Sequence, residues 1–294
     1  MVIFFLIFLQ VFYLVLPAQI AVTETKSSFS GGMHPCLKTE ISEADDDFCI
    51  KEWKRWLDNY KNEKIKKSGN EVFVDNILIP ALGNNPADFY TTFDYRKKDN
   101  KTIVCLAVDL GGAYLNSSDH SDKFREVKKI FTDYAKDTQK KNWEKKLEDE
   151  SDVLKKLQKK KASLEEENKG MTEDNFRYEN DIKKNEKEIA DTKVKLEIKK
   201  KEVENQKKVV QASSSAVKEQ QKSSENIYEK LLDQQKDLEK DIRNLEEKNE
   251  SLKQKISRNK EKIKENEQEI NNLNEKIKNQ NQVVNELQSK IKNS

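Results

Sequence analysis

The spacing of hydrophobic positions divides the chain into three stretches. Met1–Leu16 is an apolar run in which Gln10 is the one strongly polar residue. From about residue 30 to residue 118 the apolar positions recur at spacings of three to five, and then of two. Beyond residue 119 they thin out to a seven-residue repeat. The three patterns predict a targeting segment, a small mixed domain and a long helical tail.

In the middle stretch, Lys38 to Ile41 reads as a short first strand after a Gly31-Gly32 turn. Ser42 is placed to cap the following helix, with Asp45, Asp46 and Asp47 in or near its first turn, where carboxylates are favoured. Phe48, Trp53, Trp56, Leu57 and Tyr60 mark one face of that helix, which should run to about Tyr60. Strand signals follow at Ile65–Lys67, then at Val72, Val74, Ile77 and Ile79 up to Pro80. Phe89 to Lys97 alternates, with Phe89, Thr91, Phe93 and Tyr95 on one face. Thr102 to Leu110 is more continuously apolar, as expected of a central strand, and should pair with the preceding one as a hairpin. Gly111-Gly112 breaks the pattern. The expected fold class is α+β: a small antiparallel-sheet head over residues 30–118, one face covered by two helices, and then a long coiled-coil-forming tail.

Phe124, Val127, Phe131, Tyr134 and Ala135 form the face that should hold the start of the tail against the head. A first coiled-coil segment is expected to residue 210, with Asn168, Asn175 and Asn185 in its seam. The second, 227–292, places Ile242, Ile256, Ile263, Ile270, Ile277 and Ile291 at a positions. Leu245, Leu252, Leu273 and Leu287 fall at d. β-Branched a with leucine d favours two parallel strands. Residues 211–226 lack large apolar side chains and shift the heptad phase by a four-residue stutter. Either the chain runs straight through this stretch or it turns back as an intrachain hairpin. With neither Gly nor Pro there, a nearly continuous helix and a parallel homodimer are the expectation.

Composition agrees with long helices of mixed-sign surface. Charged residues are 37% of the 294, and 56 basic against 54 acidic side chains leave a formal net charge of +2. No excess of base marks a nucleic-acid wrapper. The runs Lys140-Lys141, Lys159–Lys161 and Lys199–Lys201 lie among acids and lack aromatic partners for base stacking. The apolar run 1–16 followed by small residues reads as a signal peptide over residues 1–21, cleaved after Ala18 or Ala21. An uncleaved anchor is the alternative, although about 20 apolar residues are needed to span a bilayer. Either way the rest is exported, periplasmic or secreted, with inner-membrane anchoring as the alternative; membrane contact is confined to that segment.

Candidate chemistry is sparse. Cys36, Cys49 and Cys105 are the only cysteines. A Cys36–Cys49 disulfide suits an exported chain, free thiols are the other reading, and His34 with Cys36 and Cys49 is a weak metal-ligand set. Cys105 reads as a small buried hydrophobe. Gly111-Gly112 follows a strand, but neither phosphate-binding glycine fingerprint is present. The pair is a tight turn or marks a ligand- or peptide-binding site beside it. Asp109, Asp119 and His120 lack a nucleophile to complete a catalytic set. No enzyme activity, cofactor or metal is expected.

The run VDLGGAYLNSSDH, Val108–His120, leads into a helix carrying FTDYA, Phe131–Ala135. Together with the Trp-bearing helix and the hairpin, it resembles a group of uncharacterised exported proteins of Bacteroidota-type bacteria. The likeness covers roughly residues 40–210. It implies a small α+β head with a charged helical tail, and no assigned activity or site residue. The expected function is that of an exported structural or interaction protein: a head presented on a coiled-coil stalk to an unknown protein partner, with self-association through the tail or an intrachain hairpin.

Overall fold

A computed structural model describes residues 20–212 and 218–294. The signal or anchor segment lies outside the described residues up to position 19, as do 213–217 of the stutter. The elements are β1 (Thr23–Phe29), β2 (Gly32–Ser42), α1 (Asp46–Leu57), β3 (Ile65–Ser68), β4 (Glu71–Ile77), β5 (Ala87–Arg96), β6 (Lys101–Asp109), α2 (Ser121–Ala212) and α3 (Lys218–Lys292), with a 3-10 turn at Pro80–Leu82. They form two compact units: the first is residues up to Leu154 together with Asn279–Ser294, and the second is Lys155–Lys278.

In the first unit, six antiparallel strands lie in the order β1-β2-β6-β5-β4-β3. The chain lays down the hairpin β1-β2, crosses through α1, and returns along the meander β3-β4-β5-β6 so that β6 closes against β2. β6 thus sits inside the sheet, as its apolar content requires. β1 was not foreseen in Thr23–Phe29, because a mostly exposed edge strand carries little apolar signal. α1 starts one cap later than expected. Asp45, not Ser42, is its N-cap and accepts from the Phe48 amide at 2.7 Å. Ser42 instead ends β2, and its backbone exchanges two hydrogen bonds with the Gln139 amide of α2, at 2.7 and 2.8 Å.

The core lies between one face of the sheet and α1 with the first turns of α2. Its centre is Trp53, fully enclosed. The indole stacks on Trp56 at 5.1 Å and on Phe89 at 6.5 Å, and meets Tyr134 and Phe131 edge-on at 4.6 and 6.0 Å. Tyr134 hydroxyl donates to the Cys49 carbonyl at 3.0 Å, so α2 is fastened to α1 by a polar bond inside an apolar layer. Trp56 and Tyr60 sit half-buried at the rim.

A second fastening lies at Glu43, a residue of positive φ (59°) between β2 and α1. Its carbonyl accepts from Lys146 (2.7 Å) and Asn142 (3.1 Å), and its carboxylate from Lys146 (3.2 Å) and Lys290 (2.5 Å). Partial burial raises the cost of charging this carboxyl. The hydrogen bonds from Lys290 and Lys146 outweigh it and hold the group below its usual value. Gln280, nearby on α3, donates to the Glu150 carbonyl and carboxylate at 2.9 and 2.6 Å.

In the second unit α2 and α3 pack side by side and antiparallel. The direction is fixed by three asparagine pairs. Asn266 donates to Asn168, Asn259 to Asn175 and Asn185 to Asn249, at 2.9, 2.9 and 2.8 Å. Each rise in number on α2 is met by an equal fall on α3. Tyr178, Ile182, Leu252 and Ile256 fill one layer between them, and Ile189, Leu196, Leu238, Ile242 and Leu245 the next. The expectation of a straight rod, and of parallel packing through this seam, is therefore corrected: the seam of α3 closes on α2 of the same chain. Ile242, Leu252, Ile256, Leu273 and Leu287 are buried, whereas Leu245, Ile263, Ile270, Ile277 and Ile291 are half-buried. No described helix is long and apolar enough to cross a membrane.

Two outcomes follow for stability. Trp53→Ala leaves a cavity among four aromatic rings and should cost about 3–5 kcal/mol, against a markedly smaller loss for the rim substitution Trp56→Ala; urea unfolding of both variants measures the difference. Glu43 has a depressed folded-state pKa, so its ion pairs stabilise above its unfolded value and are lost as pH falls through the folded one. Lys290→Ala should cost at most about 1 kcal/mol near neutrality, as for a part-exposed pair. Its melting temperature should converge on that of the parent as pH falls below the ordinary glutamate range and through the depressed folded-state value.

Candidate functional site

Side chains alternate across a strand, and β6 shows what each face holds. Val104, Leu106 and Val108 enter the helix-covered core, while Cys105 and Ala107 enter a separate small cluster with Phe29 and Cys36. Tyr90, Ile103 and Tyr114 pack against that cluster. Among the described residues it takes its members from strands and loops alone, and no helix residue joins it. No described helix covers this second face of the sheet; the turn between β1 and β2 and the loop carrying Tyr114 lie against it.

A row of rings crosses it. Phe29 lies 6.3 Å from His34, and His34 stacks on Tyr114 at 3.7 Å with planes 13° apart. Tyr114 lies 6.4 Å from Tyr90, and Tyr90 4.7 Å from Phe73. Lys66 Nζ stands over the Phe73 ring at 5.5 Å. Four strands and one loop thus contribute to a single aromatic strip. The Ser30 amide and hydroxyl, in the turn between β1 and β2, donate to the Glu71 carboxylate at the start of β4, at 2.9 and 2.7 Å.

The Gly111-Gly112 turn is what brings Tyr114 onto the strip. Both glycines have positive φ, 94° and 104°, which L side chains rarely adopt. Asp109 Oδ1 accepts from both of their amides, at 2.9 and 2.7 Å. The Leu110 amide then donates to Ala113 and the Leu115 amide to Val108, at 3.0 and 2.8 Å, folding the chain back along β6. The two amides that a phosphate would need are therefore already bonded to a carboxylate. The turn is a positioning device for the ring two residues on.

Carboxylates gather beside Tyr90 and Tyr114. Asp109 lies opposite Asp88 across β5-β6. Burial pushes the Asp88 carboxyl up; the Asn76 amide opposes this at 2.9 Å, and the neighbouring Asp75 and Asp109 push the same way as burial. Burial also raises the Tyr90 and Tyr114 hydroxyls, with Asp88 and Asp109 adding to the effect. The strip is neutral-aromatic at its middle and negative along one side.

The remaining sequence candidates fall elsewhere. Cys36 and Cys49, which the sequence leaves as either a disulfide or free thiols, do not meet. Cys36 belongs to the cluster on the helix-free face, whereas Cys49 is on α1 in the helix-side core, so the sheet stands between them; all three cysteines are reduced and buried. The same separation splits the set His34, Cys36 and Cys49, and no described group of three acid, Cys or His side chains could hold a metal. The Asp109, Asp119 and His120 set is not assembled. Asp109 holds the glycine turn and Asp119 exchanges two hydrogen bonds with Asn116, at 2.8 and 3.0 Å. The strip itself was missed in the sequence. Its signal lay in the aromatics of opposite parity, Tyr90 between Phe89 and Thr91, and Phe73 between Val72 and Val74.

The chain matches no family model, no curated protein and no solved structure.

Proposed function

We propose that this is an exported interaction protein. Its head recognises a cationic segment of a partner protein through the helix-free aromatic face, and α2 and α3 form an antiparallel coiled coil that carries the head. The observation that supports this most is the strip running from Phe29 through His34, Tyr114 and Tyr90 to Phe73, uncovered by either helix of the core and flanked by Asp75, Asp88 and Asp109. An arginine or lysine side chain lying on Tyr90 or Tyr114 gains the attraction of a cation for the ring face and relieves the mutual repulsion of the three carboxylates. The same acids repel phosphate backbones, which argues against nucleic acid on this face. The reading is one of binding rather than catalysis, and it needs no cofactor.

Export rests on the apolar segment 1–16 and the small residues after it. Of the two candidate cleavage points, the one after Ala18 suits the fold better. Ile20 packs against the core and Val22 is only 6% exposed, so a cut after Ala21 would bury a new α-amino charge. The coiled-coil reading is favoured by the alternation of apolar layers with asparagine pairs in the second unit, the polar pairs fixing register.

Binding is tested with the full chain and an arginine-rich peptide, set against the same peptide with citrulline in place of arginine. The arginine form should bind more tightly and weaken with salt. Tyr114→Ala should weaken it about tenfold, and Asp88→Asn should flatten the salt dependence. Equal binding of the citrulline peptide, or preference for an uncharged oligosaccharide, would defeat the proposal. For export, N-terminal sequencing of protein recovered from an exporting host should begin at Gln19. A chain retained from Met1 in the membrane fraction would sink the cleaved form.

A further inference from the structure

Beneath the aromatic strip lies a second arrangement that the binding reading does not use. β2 and β6 are neighbours, with Lys38 opposite Cys105 and Leu37 opposite Leu106. Cys36 therefore stands two residues along from the direct partner of Cys105 and on the same face, its diagonal neighbour across the pair. Diagonal side chains in such a pair lie within about 7–8 Å at the backbone and closer at their tips. The two thiols share one cluster with Phe29 and Ala107, and they are hydrogen-bonded to each other.

The two sulfurs are not equivalent. Cys105 receives the Cys36 hydrogen bond and further ones from Ser27 of β1 and Thr92 of β5, with the Lys38 ammonium nearby. These donors favour its thiolate over the burial that opposes it and hold it below the usual thiol range. Cys36, which gives its proton to that bond and is buried, is pushed the other way. Lys38 of β2 and Thr92 of β5 both lie directly opposite Cys105, so of the two sulfurs it is the one set among groups that stabilise a thiolate. Cys49 lies across the sheet, outside this arrangement.

We infer that Cys105 and Cys36 are a thiol–disulfide exchange pair, in which Cys105 attacks a low-molecular-weight disulfide and Cys36 resolves the adduct into a cross-strand bond. In the first step the Cys105 thiolate attacks one sulfur of RS–SR, forming Cys105–S–SR and expelling RS⁻. In the second, Cys36 gives its proton to RS⁻ and attacks the Cys105 sulfur, which expels the second RS⁻. Two protein thiols lose two electrons and two protons, and the small disulfide becomes two thiols. Access is through the sheet edge. Both sulfurs are enclosed, Cys36 at 3% and Cys105 at 7% exposure, but β1 above them pairs with β2 alone. Local release of an edge strand is the kind of opening that exposes such groups. A diagonal pair must also distort to reach bonding geometry, and a strained bond is easily reduced again. The pair is therefore reversible rather than a permanent staple. This inference is independent of the proposed partner.

The experiment uses the full chain. After incubation with oxidised glutathione, free thiols are alkylated and the protein is read by intact mass and by tryptic mapping. Of the three cysteines, only Cys49 should be alkylated, and the Cys36 and Cys105 peptides should appear linked. Reduced glutathione should reverse the bond. Cys36→Ala should stop at the mixed disulfide, with one glutathione retained on Cys105. Cys105→Ala should leave Cys36 slow to react. Thr92→Val should slow the first step in the otherwise native chain. The inference is overturned if all three cysteines remain alkylatable after oxidation, if the bond includes Cys49, or if Cys36 takes up glutathione as readily without Cys105 as Cys105 does without Cys36. Circular dichroism confirms that each variant is folded, and the map of the unsubstituted chain decides the question if one is not.

Discussion

A strand presents its side chains alternately to two faces, and only one face of this sheet is covered by described helices. Everything distinctive in the head follows from that asymmetry. On the covered side, Val104, Leu106, Val108, Phe89 and Phe93 meet Trp53, Phe131 and Tyr134 in a continuous apolar layer. On the other side, where no described helix packs, the same strands offer half-buried rings, hydroxyls and carboxylates over two enclosed thiols. The tilt toward aromatics is physically economical. A ring half-covered by its neighbours removes apolar area from water while its hydroxyl or imidazole edge stays solvated. Such a face keeps the sheet stable without a helix, and at the same time leaves a surface on which another molecule can gain by completing the cover.

The two faces were unequally legible in the sequence. Phe89, Thr91 and Phe93 announced the buried parity of β5 by simple alternation, and the dense run Thr102–Leu110 announced an interior strand; both stand where the pattern put them. The helix-free face was hidden by the same rule, because Tyr90 and Phe73 read as interruptions within apolar runs. Which residues join across strands depends on register. Register emerges only when β2 closes on β6 from far along the chain. Thus Cys36 looked closer to Cys49, thirteen positions away, than to Cys105, which is its spatial neighbour. β1 escaped notice for another reason: a polar edge strand is held by main-chain bonds, and these leave no trace in side-chain hydropathy.

The helical segment teaches the converse lesson. Its heptads were readable, and all ten seam positions named in α3 are buried or half-buried. Its direction was not readable, because β-branched and leucine positions describe the surface of one helix and say nothing about the source of its partner. The information was in the asparagines. Read singly, Asn168, Asn175 and Asn185 are defects in an apolar seam. Matched with Asn266, Asn259 and Asn249, they become pairs that satisfy one another only in one register and one orientation. An unmatched amide in that seam carries a desolvation cost of about 1–3 kcal/mol, so each pair penalises slippage more than it rewards association.

The clasp at Glu43 has a consequence for the order in which the molecule assembles. Lys146 and Lys290, which share its carboxylate, lie 103 and 247 residues downstream. Closing a loop of that length is entropically demanding and slow compared with forming the local hairpins. A nascent head emerging from the ribosome can therefore bury Trp53 and complete its sheet while Glu43 still holds a single ammonium partner. The second arrives only after both arms of the helical segment have been synthesised and have found each other. The Lys290 contact is thus the last tie on the loop between β2 and α1, added to a hydrophobic core that does not depend on it.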